Sequence, residues 1–214
     1  MTPTELDTYC RQRYNAVGDT FWGTTEVLNI IFDACAQMAR EAQVIRQVYT
    51  TSTAIGTSEY VYPTNAVSIK RITYAGQKLQ PISFREDDQI TGQNQAATSS
   101  GTPQYYAEWN RTIYLRPVPD AVGTLKIFSF NTPQAITTAS TLEIPTEYHL
   151  DVVLYVLSVF HSKEKNFQGA DYWQKKWEQR LKEIKINERK KLRGDSFTHV
   201  NDIDSMSESF IGSV

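Results

Sequence analysis

Apolar residues recur at two different periods along this chain. Between residues 24 and 43, Val27, Leu28, Ile31, Phe32, Cys35, Met38 and Ala39 follow steps of one, three, one, three, three and one. That spacing builds one stripe on a helix. An earlier helix carries Leu6, Tyr9, Cys10 and Tyr14, with Thr4 as its expected cap and Gly18-Asp19 as its stop. Thr24 or Thr25 is the expected cap of the second helix, with Glu26 in its first turn and Trp22 just before it. From residue 44 the period shortens. Val44 to Tyr49, Glu59 to Tyr62, Val67 to Tyr74 and Leu79 to Ile82 are β-rich, with Ala75-Gly76-Gln77 as a hairpin turn. Residues 92–103 read as a polar loop. Tyr105 to Trp109 pairs through Asn110-Arg111 with Thr112 to Arg116, and Thr124 to Phe130 forms a last strand. In that strand Leu125 and Ile127 face one side, and Lys126, Phe128 and Phe130 the other. Both faces are partly apolar, as in a small sandwich.

Pro145-Thr146-Glu147 returns the chain to helix. Leu150, Val153, Leu154, Leu157, Phe160 and His161 form one stripe, widened by Val152, Val156 and Val159. Asn166 and Gly169 punctuate. A long amphipathic helix then runs from Ala170 to about Leu192 on Tyr172, Trp173, Trp177, Leu181, Ile184 and Ile186. The expected class is α+β. A helical unit is formed by residues 1–43 and 146–194, a small antiparallel sandwich-like unit is inserted at 44–145, and an extended tail occupies 195–214.

With 214 residues and a net charge of −2, the chain can bury a sizeable core and is no bulk polycation. Cys10 and Cys35 sit beside apolar residues and read as buried thiols. The N-terminal residues do not resemble a signal peptide, and the apolar run from Val152 to Phe160 is too short to span a bilayer. The chain is expected to be made in a cytoplasmic compartment.

Motif chemistry is absent. There is no GxxxxGK[ST], GxGxxG, HExxH or GxSxG, and neither cysteine has a metal-ligand partner at suitable spacing. His161, on an apolar face, reads as a core or boundary histidine. No cofactor, metal or catalytic residue is expected. Asp87-Asp88 would be the carboxylates of a metal-assisted hydrolase; an exposed acidic loop between strands is the favoured reading.

Charge is unevenly distributed. From Lys163 to Arg193, eleven basic residues stand against five acidic ones, leaving +6. Lys175, Lys176, Lys182, Lys185 and Arg189 mark a basic face that would meet DNA or a neighbouring subunit, or simply solvent. After it, Asp195, Asp202, Asp204 and Glu208 give the tail −4 with no Lys or Arg. Phe197, Val200, Ile203, Met206, Phe210 and Ile211 recur through that tail, more apolar anchors than a solubilising spacer needs. They read as docking residues.

The order of these signals resembles the head-to-tail connector adaptors of tailed bacteriophages, including the tail tubular protein A type, over about residues 20–190. The segments that carry the likeness are Tyr60-Val61-Tyr62-Pro63, Val67 to Leu79, Gly101-Thr102-Pro103-Gln104-Tyr105-Tyr106, Ile113 to Asp120, Ile127 to Phe130, and Ile144-Pro145-Thr146-Glu147-Tyr148-His149. Tyr62 before Pro63 and Asn65 depart from the residues common at those positions. The resemblance implies a structural virion protein in the neck between capsid and tail. It implies a homo-oligomeric ring, usually of twelve copies, beneath the portal protein. Such a ring extends the channel for genomic DNA and offers a platform to a tail or nozzle protein, with no membrane partner. It also implies that the C-terminal segment, with Phe197, Val200, Ile203, Phe210 and Ile211, reaches the portal. A head-completion stopper or tail terminator is the alternative virion role.

Overall fold

The computed structural model describes residues 1–91, 99–138 and 140–194. It contains helices α1 (Pro3–Tyr14), α2 (Thr24–Ala42), α3 (Phe84–Thr91), α4 (Val152–Lys163) and α5 (Phe167–Gly194). Its strands are β1 (Arg46–Ser52), β2 (Glu59–Val61), β3 (Ala66–Tyr74), β4 (Gln77–Lys78), β5 (Gln80–Pro81), β6 (Ser100–Gly101), β7 (Tyr105–Trp109), β8 (Thr112–Arg116), β9 (Val118–Pro119) and β10 (Thr124–Asn131). The fold is α+β.

Helix boundaries are set by local chemistry. Thr2, not Thr4, caps α1: its hydroxyl accepts from the Glu5 amide, and the Glu5 carboxylate accepts from the Thr2 amide. The helix ends at Asn15 in the left-handed conformation, before Gly18 is reached. Gly23 stands at the N-cap of α2, so Thr24 and Thr25 lie inside the helix. Between α1 and α2, the Arg11 guanidinium donates to Asp7 at 2.7 Å and to the Trp22 carbonyl at 2.7 Å, pinning the connecting loop.

The bundle core joins α1, α2, α4 and α5. Trp22 stacks on Phe160 with centroids 4.0 Å apart, and Tyr14 meets the same ring edge-on at 5.3 Å. Trp177, fully buried, donates through Nε1 to Gln37 of α2 at 3.0 Å. Val44, Ile45, Leu142, Ile144 and Tyr148 belong to this cluster as well, because the segments flanking the sheets are drawn against the helices. Cys10 and Cys35 are free, buried thiols, and burial pushes both up to about 12, so neither is a thiolate at neutral pH.

The return to helix is stepwise. Thr146–Tyr148 forms one 3-10 turn, and α4 begins only at Val152. Leu150 consequently stays outside the stripe and is 55 % exposed. Nor does Gly169 interrupt α5. It lies inside the helix because a Cβ there would come within 2.7 Å of His161 Nδ1. Ile186 is exposed, and the stripe continues instead through Ile184 to the buried Glu188.

The strands form two four-stranded sheets, β1-β10-β3-β4 and β2-β8-β7-β5, with a short parallel pair β6-β9. All pairings in the first sheet are antiparallel; β5 joins β7 in parallel. Ile72, Leu125 and Ile127 of the first sheet and Tyr106, Ile113 and Leu115 of the second share one buried cluster, which makes the pair a sandwich. The two-residue turns Ala75-Gly76 and Asn110-Arg111 have positive φ throughout, as tight hairpins require.

Leu157 is 2 % exposed at the centre of the bundle cluster. Leu157→Ala is expected to lower unfolding stability by about 3 kcal/mol, from lost burial and the cavity left behind. Urea denaturation followed by tryptophan fluorescence checks this; a loss below about 1 kcal/mol would refute it.

Candidate functional site

Asp87 is not in an exposed loop, as expected from sequence. It lies on α3, is 2 % exposed, and meets the Arg116 guanidinium of β8 with Nε–Oδ1 at 2.8 Å and Nη2–Oδ2 at 3.0 Å. Its carboxylate is thus committed to an ion pair that holds α3 against the second sheet, with a hydrogen bond from Nη2–H to Oδ2. Asp88 follows on the same helix. Ser83 and Glu86 make a reciprocal capping box, with Ser83 N to Glu86 at 2.8 Å and Glu86 N to Ser83 Oγ at 3.2 Å. Those backbone and hydroxyl bonds hold the Glu86 carboxyl below its usual range. Among the described residues, no group of three or more His, Cys, Asp or Glu is placed to hold a metal ion, and no helix is long and apolar enough to cross a membrane.

The predicted basic residues of α5 fall into two sets. Lys175, Lys182 and Arg189, spaced by seven, ride the stripe opposite buried Trp177, Leu181 and Ile184, with Lys185 on its flank. Lys175 is paired with Asp171 at 2.9 Å, both exposed, and that partner raises its pKa. Lys182, Lys185 and Arg189 form no ion pair among the described residues. Lys176 is turned aside, with Nζ 4.4 Å from the Tyr172 ring centroid and 5.2 Å from that of Trp173. The structure therefore brings together four of the five predicted cations. The predicted docking residues Phe197, Val200, Ile203, Phe210 and Ile211 lie outside the described residues.

Sequence reasoning missed a polar junction between the first sheet and the bundle. Glu188 of α5 is 3 % exposed. One oxygen accepts from Arg46 of β1, and the other from the Tyr148 hydroxyl at 2.5 Å and Lys191 at 2.8 Å. Lys191 also reaches Glu147 at 2.6 Å. Burial and the bond to Glu188 push the Tyr148 hydroxyl up to about 12, so it stays a donor. Beside this junction, His149 is 4 % exposed, with Nε2 3.0 Å from the Ile144 carbonyl and Nδ1 3.0 Å from the Met1 amino group. That arrangement assigns the neutral Nε2–H tautomer, with the amino group donating to Nδ1.

Large apolar side chains stand exposed at several places among the described residues. Val61, Thr112 and Trp109 sit side by side across β2, β8 and β7, with Val61 86 % and Trp109 59 % exposed. Phe84 of α3 stacks on Trp109 at 5.0 Å. At the start of α5, Phe167 and Tyr172 are each exposed, on different sides of the helix. Exposed aromatics rigidly backed by secondary structure are the anchors typical of protein interfaces.

The α+β scaffold presents rigidly backed aromatic anchors at its surface. The profile of the SU10 adaptor protein family matches residues 1–200. The chain belongs to that family, and its role is that of a structural bacteriophage adaptor, a virion component of tail assembly. A search of curated proteins found no match.

Burial lowers the His149 pKa from its ordinary 6.5, with the Ile144 bond opposing and the amino group adding to the shift. Between the folded value and 6.5 the unfolded chain binds the extra proton, so acidification favours unfolding there. The His149 contribution is complete above about pH 6.5 and declines as pH falls towards the folded value. The urea midpoint is expected to drop between about pH 7 and pH 5.5, and His149→Gln to flatten that dependence. Parallel pH profiles of the two proteins would disprove the assignment.

Proposed function

We propose that the chain is one subunit of a homo-oligomeric ring, of twelve copies, seated in the virion neck below the portal protein. The ring extends the channel for genomic DNA and gives the tail or nozzle protein its platform. The observation that carries this reading is the adaptor-family match across residues 1–200. Two features support it. A ring needs two different, complementary patches on each subunit, and we assign the Val61–Trp109 row and the exposed residues at the start of α5 to that role. The stripe of Lys175, Lys182, Lys185 and Arg189 supplies cations for a channel wall or for a neighbouring subunit. In this reading residues 1–43 and 146–194 form the ring-building unit and residues 44–145 an inserted unit. Residues 195–214 form the segment that engages the portal through Phe197, Val200, Ile203, Phe210 and Ile211.

Assembly is tested by mixing the chain with portal-bearing heads and counting copies by native mass spectrometry or neck imaging. Twelve copies per neck are expected for the native chain, and none for Val61→Glu/Trp109→Glu, whose exposed positions leave the fold intact. Full assembly of that variant would remove the hairpin tip from the interface.

The cationic stripe has its own test. If it lines the channel, Lys182→Gln/Lys185→Gln/Arg189→Gln reduces the salt slope of DNA binding by the assembled ring by up to about 2.7 per subunit in contact. An unchanged slope would assign the stripe to solvent or to a neighbouring subunit.

A further inference from the structure

The sheet β1-β10-β3-β4 contains no Asp or Glu in any of its four strands, yet carries Arg46, Lys70, Arg71, Lys78 and Lys126. Such segregation is not produced by a random solvated face. Its outer side forms a groove of about 650 Å³. The groove is bordered by Arg46, Lys70, Arg71 and Lys78, with Phe128 and Leu192 among its apolar lining. Strand alternation should send Lys70 and Arg71 to opposite faces. They share this groove because the register against β10 slips: Phe128 pairs with Arg71 and Ser129 with Ile69, leaving Lys70 as the extra residue of a bulge. Arg71 lies over the Phe128 ring at 4.0 Å, and Val48 beside it is 53 % exposed. Arg46 is already neutralised by Glu188. Lys70, Arg71 and Lys78 have no acidic partner among the described residues.

Leu192, in the last turn of α5, lines this groove, and the helix ends two residues later at Gly194. The twenty residues that follow carry Asp195, Asp202, Asp204 and Glu208, no Lys or Arg, and apolar residues at Phe197, Val200, Ile203 and Met206. Charge and apolar character are complementary on the two sides. At roughly 3.3 Å per residue, the segment after Gly194 extends to about 65 Å at most, ample to lie along a groove that the end of α5 borders.

We propose that the basic, apolar-floored groove on the outer face of this sheet seats the acidic C-terminal segment, residues 195–214, of the same chain. Acidic side chains pair with Lys70, Arg71 and Lys78 at the rim, while Phe197 and Val200 cover Val48 and Phe128. Seated there, the segment masks an otherwise unbalanced cationic sheet. It would have to leave the groove before engaging any other protein. Nucleic acid fits less well, since its phosphates would use the rim but leave the apolar floor exposed.

The test uses the isolated full-length chain. Carbodiimide coupling at low salt, mapped by mass spectrometry, is expected to join Lys70 or Lys78 to Asp202, Asp204 or Glu208 within one chain. Amide exchange over 195–214 is expected to be slowed about tenfold or more relative to an unstructured peptide. Both effects fall away in about 0.5 M salt and in Lys70→Glu/Arg71→Glu/Lys78→Glu. Should that variant misfold, Phe197→Ser/Val200→Ser, altered only in the segment itself, must show the same loss of protection. Exchange at the unstructured rate in the native chain, or protection unchanged by these substitutions, overturns the proposal. So do cross-links found only between isotopically distinct chains, or duplex DNA displacing nothing while occupying the groove. Because no head or portal is present, these outcomes are separate from those of the assembly experiments.

Discussion

The placement of the sheets on the helices depends on one buried carboxylate. Glu188 occupies the position where the apolar stripe of α5 would continue, and is nearly closed to water. A carboxylate there is tolerable only if its lone pairs are filled by strong donors. Arg46 arrives from the first residue of β1, Tyr148 from the 3-10 turn before α4, and Lys191 from one turn further along α5. Shifting the sheet relative to the helix would strand the charge, so the junction resists sliding in a way that apolar contact alone does not. Arg180 of α5 performs a milder version of the task at the same end of α4, reaching Asp151 at 2.8 Å while also holding Glu183.

Much of this was legible in the chain, and the failures have particular causes. The α2 stripe, the two hairpin turns, the buried cysteines and the helix–sheet–helix order follow from periodicity and turn chemistry. Helix α3 was obscured because its capping box sits in an acidic run that reads as loop, and its inward charge is satisfied by Arg116, 29 residues away in sequence and invisible to local patterns. Glu188 was counted as solvated because nothing in a helical wheel announces an incoming arginine. Gly169 looked like a stop but marks close packing on His161. The cationic groove could not be read at all, since the bulge at Lys70 breaks the alternation by which strand faces are assigned.

The charges are divided by task. Of the acidic residues with inward roles, Asp87 and Glu188 each tie one element to another through an arginine, and Asp7 holds Arg11 of its own helix, which reaches the Trp22 carbonyl. The cations left over gather on two outward surfaces, the exposed stripe of α5 and the outer face of the first sheet. A chain whose net charge is only −2 therefore presents strongly polarised local fields. Its apolar anchors stand elsewhere, at the β7–β8 hairpin tip and the start of α5, so steering and adhesion are assigned to different parts of the molecule.

The helices that share the bundle core are far apart along the chain, with α1 and α2 complete by Ala42 and α4 beginning at Val152. During synthesis the apolar side of α2, including Val27, Ile31 and Met38, emerges long before Phe160 and Trp177 exist to cover it. Both sheets, closed by Asn131, can form in that interval. The order of emergence thus makes the sandwich the first finished part of the nascent protein. Until α4 and α5 are made, the stripe of α2 lacks the bundle partners that cover it in the finished chain. A stalled or prematurely terminated product would carry that uncovered stripe, which makes the last quarter of the chain decisive for solubility during biosynthesis.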